Sequence, residues 1–241
     1  MSPLLLNIAM FGSMIALLLT GAPLFAVIGS VGIVFGLVVG GPIIFPMFAM
    51  RVYGLMVSYS LVAVPLFILM ANLLQRSGIV EEMFGAIFQW AGKIRGSIAI
   101  ATIITGVILA AMIGVVGASV ITLGLLALPA MMERKYNKHM VVGTVCAAGT
   151  LGILIPPSIM PIFYSAATQV SVIDLFAGSM LPGLLLGLAF CAYIVILVLR
   201  KPEYAPSITA EEQIVGFWKK LALGKNIVAP AIIIGCVLGT I

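Results

Sequence analysis

The chain has 241 residues, of which 63% are hydrophobic and 8% charged. Soluble domains carry about 25% charge, so this composition excludes an ordinary soluble domain and marks an integral membrane protein. The net charge of +5 carries topology information rather than affinity for nucleic acid, because Lys and Arg collect on the cytoplasmic side of a membrane protein.

The N-terminus, "MSPLLLNIAM", has no basic stretch before its apolar run, which argues against a cleaved signal peptide. Residues 4–20 and 24–39 are apolar segments separated by "TGAP". With the run that follows they form a scaffold of transmembrane helices over 1–78. The orientation of the first 58 residues stays open. Three basic clusters come next: Arg76, Lys93 and Arg95; Arg134, Lys135 and Lys138; Arg200, Lys201, Lys219, Lys220 and Lys225. Placing all three on the cytoplasmic side leaves only Arg51 elsewhere among the 12 basic residues.

Residues 59–75 descend to Arg76. In 79–95, Ile79, Met83, Ile87, Trp90 and Ile94 recur at steps of three and four, which predicts an amphipathic helix on the membrane surface. A plain cytoplasmic loop is the alternative. Residues 96–131 carry no charge and have basic flanks at both ends, so both ends face one side. Two limbs of about 16 residues span about 24 Å each, short of the ~30 Å hydrocarbon core. The sequence therefore favours a re-entrant hairpin over 96–132, with "IGVVGAS" (113–119) as its tip.

Residues 140–168 cross outward, "QVSVID" (169–174) turns, and 175–199 cross back. Residues 96–199 thus read as one block of hairpin, outward crossing and return crossing. Residues 200–225 make a cytoplasmic connector with its own amphipathic patch, and 226–241 begin another crossing.

The outward crossing contains "GTLGILIPPSIMP" (149–161). Pro156, Pro157 and Pro161 cannot donate to the carbonyls of Gly152, Ile153 and Pro157. Gly149 and Gly152 loosen the helix ahead of the break. Oxygens freed at membrane depth need protein, water or an ion, and broken helices of this kind bind substrates and coupling ions in transporters. The alternative is a structural proline kink. No Asp, Glu, Lys, Arg or His lies in 96–132 or 140–173, which leaves a proton relay without groups. Backbone carbonyls and the hydroxyls of Ser119, Thr122, Thr150 and Ser158 remain, and such oxygens suit a hard cation, here sodium. Half-helices starting near Ser119 and Ser158 would turn positive ends toward an anionic substrate group. His139 reads as a solvated flank. Cys146, Cys191 and Cys236 match no metal or redox spacing.

Four stretches resemble the large membrane subunit of TRAP transporters, the tripartite ATP-independent periplasmic family. They are "LVAVPLFILMANLLQRSGI" (61–79), "AAMIGVVGASVITLGLLALPAMMERKYNK" (110–138), "AAGTLGILIPPSIMPIFYSAAT" (147–168) and "SVIDLFAGSMLPGLL" (171–185). The resemblance implies an all-α fold with a re-entrant hairpin and a broken helix, one half of an inverted-repeat, elevator-type carrier. It implies import of organic acids, typically carboxylates, on a sodium gradient across the bacterial inner membrane. The implied partners are a small membrane subunit and a periplasmic substrate-binding protein.

Carried onto this sequence, the ion site takes Ile113, Gly114, Val115, Val116, Gly149, Thr150, Gly152, Ile153 and Pro157. Gly117, Ala118, Ser119, Pro156 and Ser158 would face the substrate. Family members often carry a serine-rich tip where this chain has Ile113, Gly114, Val115 and Val116, so hydroxyl ligands are lost there. The family continues into a second inverted half. The expectation is therefore an N-terminal half unable to transport alone, either a remnant or completed by a separate chain. The rival readings are another elevator-type anion carrier or channel working without a binding protein, and a non-transporting membrane scaffold. No nucleophile–base pair, paired carboxylates or metal-ligand cluster supports an enzyme.

Overall fold

A computed structural model describes residues 3–91 and 95–206, with residues 232, 235 and 239. Among the described residues every regular element is helical, and five helical segments are long and apolar enough to cross a membrane: Leu24–Met56, Tyr59–Arg76, Val116–Glu133, Lys138–Thr168 and Val172–Arg200. The chain is a multi-pass, all-α membrane protein. It divides into two units, Met1–Ser58 and Tyr59–Ile241.

In the first unit α1 (Pro3–Leu19) and α2 (Leu24–Gly40) pack as a pair. The "TGAP" stretch breaks them apart, with Gly21 at φ +80°, and Pro23 caps the start of α2. After a short 3₁₀ turn, α3 (Ile44–Met56) carries Arg51 on its exposed surface. Among the described residues of this unit only Val27 and Val31 are buried, so its apolar surface is left for lipid or protein outside it.

The second unit starts with a 3₁₀ turn (Tyr59–Val62) and α4 (Ala63–Arg76), followed by α5 (Ile79–Ala91). Within the range expected for an amphipathic helix, α5 packs against α6 and α4. Val80, Met83, Ala86 and Ile87 are the buried positions, and Trp90 is exposed. Ile94 lies outside the described residues. The amphipathic patch expected after residue 206 and most of the 226–241 crossing also lie outside them.

Next come α6 (Ser97–Ile113) and α7 (Val116–Glu133), the two limbs of the expected hairpin. Then α8 (Lys138–Leu154) and α9 (Ile159–Thr168) form the two pieces of the broken helix, and α10 (Val172–Arg200) follows the short turn 169–171. Asn137 caps α8, its side chain accepting from the His139 amide at 2.9 Å. Asp174 sits in the first turn of α10, where a carboxylate favours the helix dipole. A 3₁₀ turn at Pro202–Tyr204 closes the basic end, where the Asn137 amide donates to the Tyr204 carbonyl at 3.0 Å.

The core is built where α6, α7 and α8 meet. Ala99, Ala101, Leu109, Leu123, Ala127, Val141 and Leu151 are fully buried there. Small residues set the spacing: a Cβ on Gly106 would come 2.8 Å from the Ala148 Cβ and 3.0 Å from its carbonyl oxygen, so α6 and α8 touch nearly backbone to backbone. This is how apolar helices associate without a hydrophobic gain between them.

Helix α10 serves as a ruler for depth. Gly96 packs beside Ile194 and Val198, Gly187 beside Val107, and Gly183 beside Leu154 and Ile155. The hairpin thus climbs α10 from its basic end and stops level with the break. From Gly183 back to Val172 the helix runs on for about 16 Å, so the hairpin tip ends well short of the far end of α10.

Candidate functional site

Two interruptions face each other. Helix α6 ends at Ile113 and α7 starts at Val116, so the tip is the pair Gly114–Val115. Gly114 takes φ +64°, a left-handed conformation that an L side chain adopts at a cost. The expected tip of 113–119 is narrower in the structure: Gly117, Ala118 and Ser119 already form the first turn of α7. Opposite, Ile155, Pro156, Pro157 and Ser158 separate α8 from α9, and all four are buried. The Pro156–Pro157 bond is cis.

The two interruptions touch. The Ile159 amide donates to the Gly114 carbonyl at 3.3 Å. A Cβ on Gly114 would lie 2.6 Å from the Pro157 carbonyl oxygen and 3.0 Å from the Ser158 Cα. Only a glycine admits this approach. Along the same seam a Cβ on Gly152 would meet the Ser119 Oγ at 3.2 Å, and one on Gly149 would overlap the Val120 side chain.

Four helix ends therefore converge. The C-termini of α6 and α8 bring carbonyl oxygens, and the N-termini of α7 and α9 bring N–H groups. Ends of the first kind favour cations and ends of the second favour anions. The N-terminus of α7 lies at Val116, three residues before the Ser119 start expected from sequence; that of α9 follows Ser158 as expected.

The individual oxygens sort as follows. Pro156 leaves the Gly152 carbonyl without its helical donor, and the Pro157 carbonyl lies in the break itself, against the Gly114 tip. The Ile153 carbonyl, freed by Pro157, is taken by the Ser158 hydroxyl at 2.8 Å. The Val115 carbonyl accepts both the Ser119 amide at 3.1 Å and the Ser119 hydroxyl at 3.0 Å. Ser119 and Ser158 are buried at the seam. Thr150 is exposed and its hydroxyl bonds the Ala147 carbonyl at 2.7 Å, while the Thr122 hydroxyl bonds the Ala118 carbonyl at 2.9 Å. Neither hydroxyl is turned to the break. Gly149 serves close packing against Val120. The structure thus brings Gly114, Val115, Ser119, Gly152, Ile153, Pro157 and Ser158 together. Gly117 faces open space, with nothing within 4 Å of a Cβ placed there.

Among the described residues no group of three or more His, Cys, Asp or Glu is placed to hold a metal ion. The donor set at the seam is neutral oxygen, a ligand type that suits hard cations rather than soft metals.

The family model described as "Tripartite ATP-independent periplasmic transporter, DctM component" matches residues 11–241. The chain belongs to this family. Its relatives are named as permeases. One, a C4-dicarboxylate TRAP transporter large permease of Vibrio cholerae, is 41% identical over 54% of this chain and 29% of its own length. Another of the same description, from Pseudomonas aeruginosa, is 37% identical over 68% of this chain and 38% of its own length. An isethionate TRAP transporter permease of Oleidesulfovibrio alaskensis is 38% identical over 56% of this chain and 21% of its own length. Others carry the names of ectoine permeases. The chain spans less than half the length of these TRAP relatives.

Sequence reasoning missed what backs the TRAP seam. Gly183 and Gly187 let α10 approach the break and the hairpin. Their spacing of four, one face of a helix with only small residues on it, is the signal that would have found them.

Proposed function

We propose that this chain forms the part of a TRAP-type large permease that holds the coupling cation and the acid group of the substrate. The whole permease imports small organic acids across a bacterial inner membrane on a sodium gradient. It works with a small membrane subunit and takes its substrate from a periplasmic binding protein. The observation that carries this reading is the seating of Gly114 on Pro157–Ile159. That contact juxtaposes two carbonyl-bearing helix ends and two N–H-bearing ends in a membrane segment without ionisable side chains.

The physical logic is a division of labour. The Gly152 and Pro157 oxygens, with the tip carbonyls, attract a cation that needs no protonation step. The amides at the start of α7 attract a carboxylate or sulfonate. A bound cation cancels the partial negative charge of the α6 and α8 ends, so each ligand improves the site for the other. The substrate class is supported by the names of the C4-dicarboxylate and isethionate relatives, both of which denote small organic anions.

Hydrogen exchange over 113–119 and 152–159, in sodium and then in potassium at equal ionic strength, tests the ion site. Slower exchange in sodium is expected. Equal exchange in both salts overturns the site. Uptake of succinate into vesicles, with and without the binding protein, tests the transporter class; uptake that ignores the binding protein favours the rival carrier or channel.

A further inference from the structure

On the basic side of the second unit a groove of about 680 Å³ opens between α6, α8 and α10. Its walls are apolar, among them Ile103, Ala147, Ala189 and Phe190, and its mouth is polar, with Asn137, His139, Lys201 and Tyr204. Among the described lining residues there is no acidic side chain. From Asn137 to Ala147 the groove follows α8 for about 15 Å, half the ~30 Å hydrocarbon thickness. It is as deep as one leaflet.

We propose that this groove holds one acyl chain of an anionic phospholipid from the leaflet on the basic side, with the lipid phosphate at the mouth. Three observations choose this occupant over others. The depth fits a leaflet and the volume falls in the ~300–1,000 Å³ range of small-molecule sites. The mouth is cationic: Lys201 is held there by Tyr204, its Nζ 3.4 Å from the phenol oxygen and 5.1 Å from the ring centre. The start of α8 lies at the same mouth, capped by Asn137, and adds the positive end of a helix. Basic pockets between membrane helices take acidic headgroups for these reasons.

Gly143 offers a clean test. It lines the groove, is exposed, and has nothing within 4 Å of a Cβ placed on it. A side chain there starts from open space and extends into the groove, and it improves helix propensity. The purified full chain would be placed in nanodiscs of equal parts phosphatidylglycerol and phosphatidylcholine, extracted into detergent, and weighed by native mass spectrometry. Retention of one phosphatidylglycerol, at least about tenfold over phosphatidylcholine, an advantage of about 1.4 kcal/mol, is expected. Gly143→Phe should lose it; Lys201→Gln should keep a lipid but lose the preference. Equal retention of both lipids, or a Gly143→Phe chain that keeps phosphatidylglycerol as wild type does, overturns the proposal. So does a wild-type groove that cross-links to the chain's own residues beyond 206 and retains no lipid. If Gly143→Phe does not fold, the Lys201→Gln preference decides alone.

Discussion

Replacing Gly114 with alanine should pry the hairpin tip from the break. The residue sits at φ +64°, which costs an L side chain about 1 kcal/mol or more. The new Cβ would come 2.6 Å from the Pro157 oxygen and 3.0 Å from the Ser158 Cα. Both are backbone atoms, so no rotamer change relieves the clash, and overpacking of this kind costs about 1–3 kcal/mol. The sum is about 2–4 kcal/mol. At tenfold per ~1.4 kcal/mol, the tip should open roughly thirty to seven hundred times more often. The readout is hydrogen exchange at the Ile159 amide, which donates to the Gly114 carbonyl at 3.3 Å. Gly117→Ala is the control: its Cβ meets nothing within 4 Å, and inside α7 it gains up to about 1 kcal/mol of helix propensity. Equal Ile159 exchange in the two variants would refute the reasoning.

Ser158→Ala removes the donor to the part-buried Ile153 carbonyl; an acceptor left unpaired costs up to about 1–3 kcal/mol, a lowered melting temperature that Ser158→Thr should largely restore. Gly106→Leu should destabilise by about 1–3 kcal/mol or more, because Ala148 backbone and side chain stand in the way; a melting temperature unchanged from wild type would contradict the close α6–α8 contact. Burial pushes the Tyr136 phenol above its ordinary 10.0, opposed by the Ile98 backbone, the Ser97 hydroxyl and Arg134. Above pH 10 the unfolded chain then releases this proton before the folded chain does, so the contribution is intact below pH 10 and is lost as pH rises through the folded value. A wild-type chain should lose stability there faster than Tyr136→Phe, and parallel pH profiles would contradict it.

Much of this was legible because some residues act locally. The "TGAP" stop between α1 and α2 and the proline break after α8 follow from backbone chemistry that no packing can override. The tip was only half legible. Gly114 and Gly117 are both competent for a left-handed turn, and the choice was made by Pro157 and Ser158, which are distant in sequence. In α5 the expected stripe through Ile79, Met83, Ile87 and Trp90 is only partly buried: Met83 and Ile87 are inside and Trp90 is outside, while Val80 and Ala86 join the buried face. That rotation of the buried face is decided by α6, a tertiary partner that periodicity does not contain. Thr150 was named for its hydroxyl, yet a threonine inside a helix readily spends that group on its own backbone, and here it does so on Ala147.

The glycine contacts along α10 have a mechanical consequence. Hairpin and broken helix are both clamped to one mast, at Gly183, Gly187 and opposite Gly96. Levering one off the other would tear these contacts apart, whereas shifting mast, hairpin and broken helix as a single cassette disturbs none of them. Spin labels at Val107 and Leu188, one on the hairpin and one on the mast, should therefore report one fixed separation.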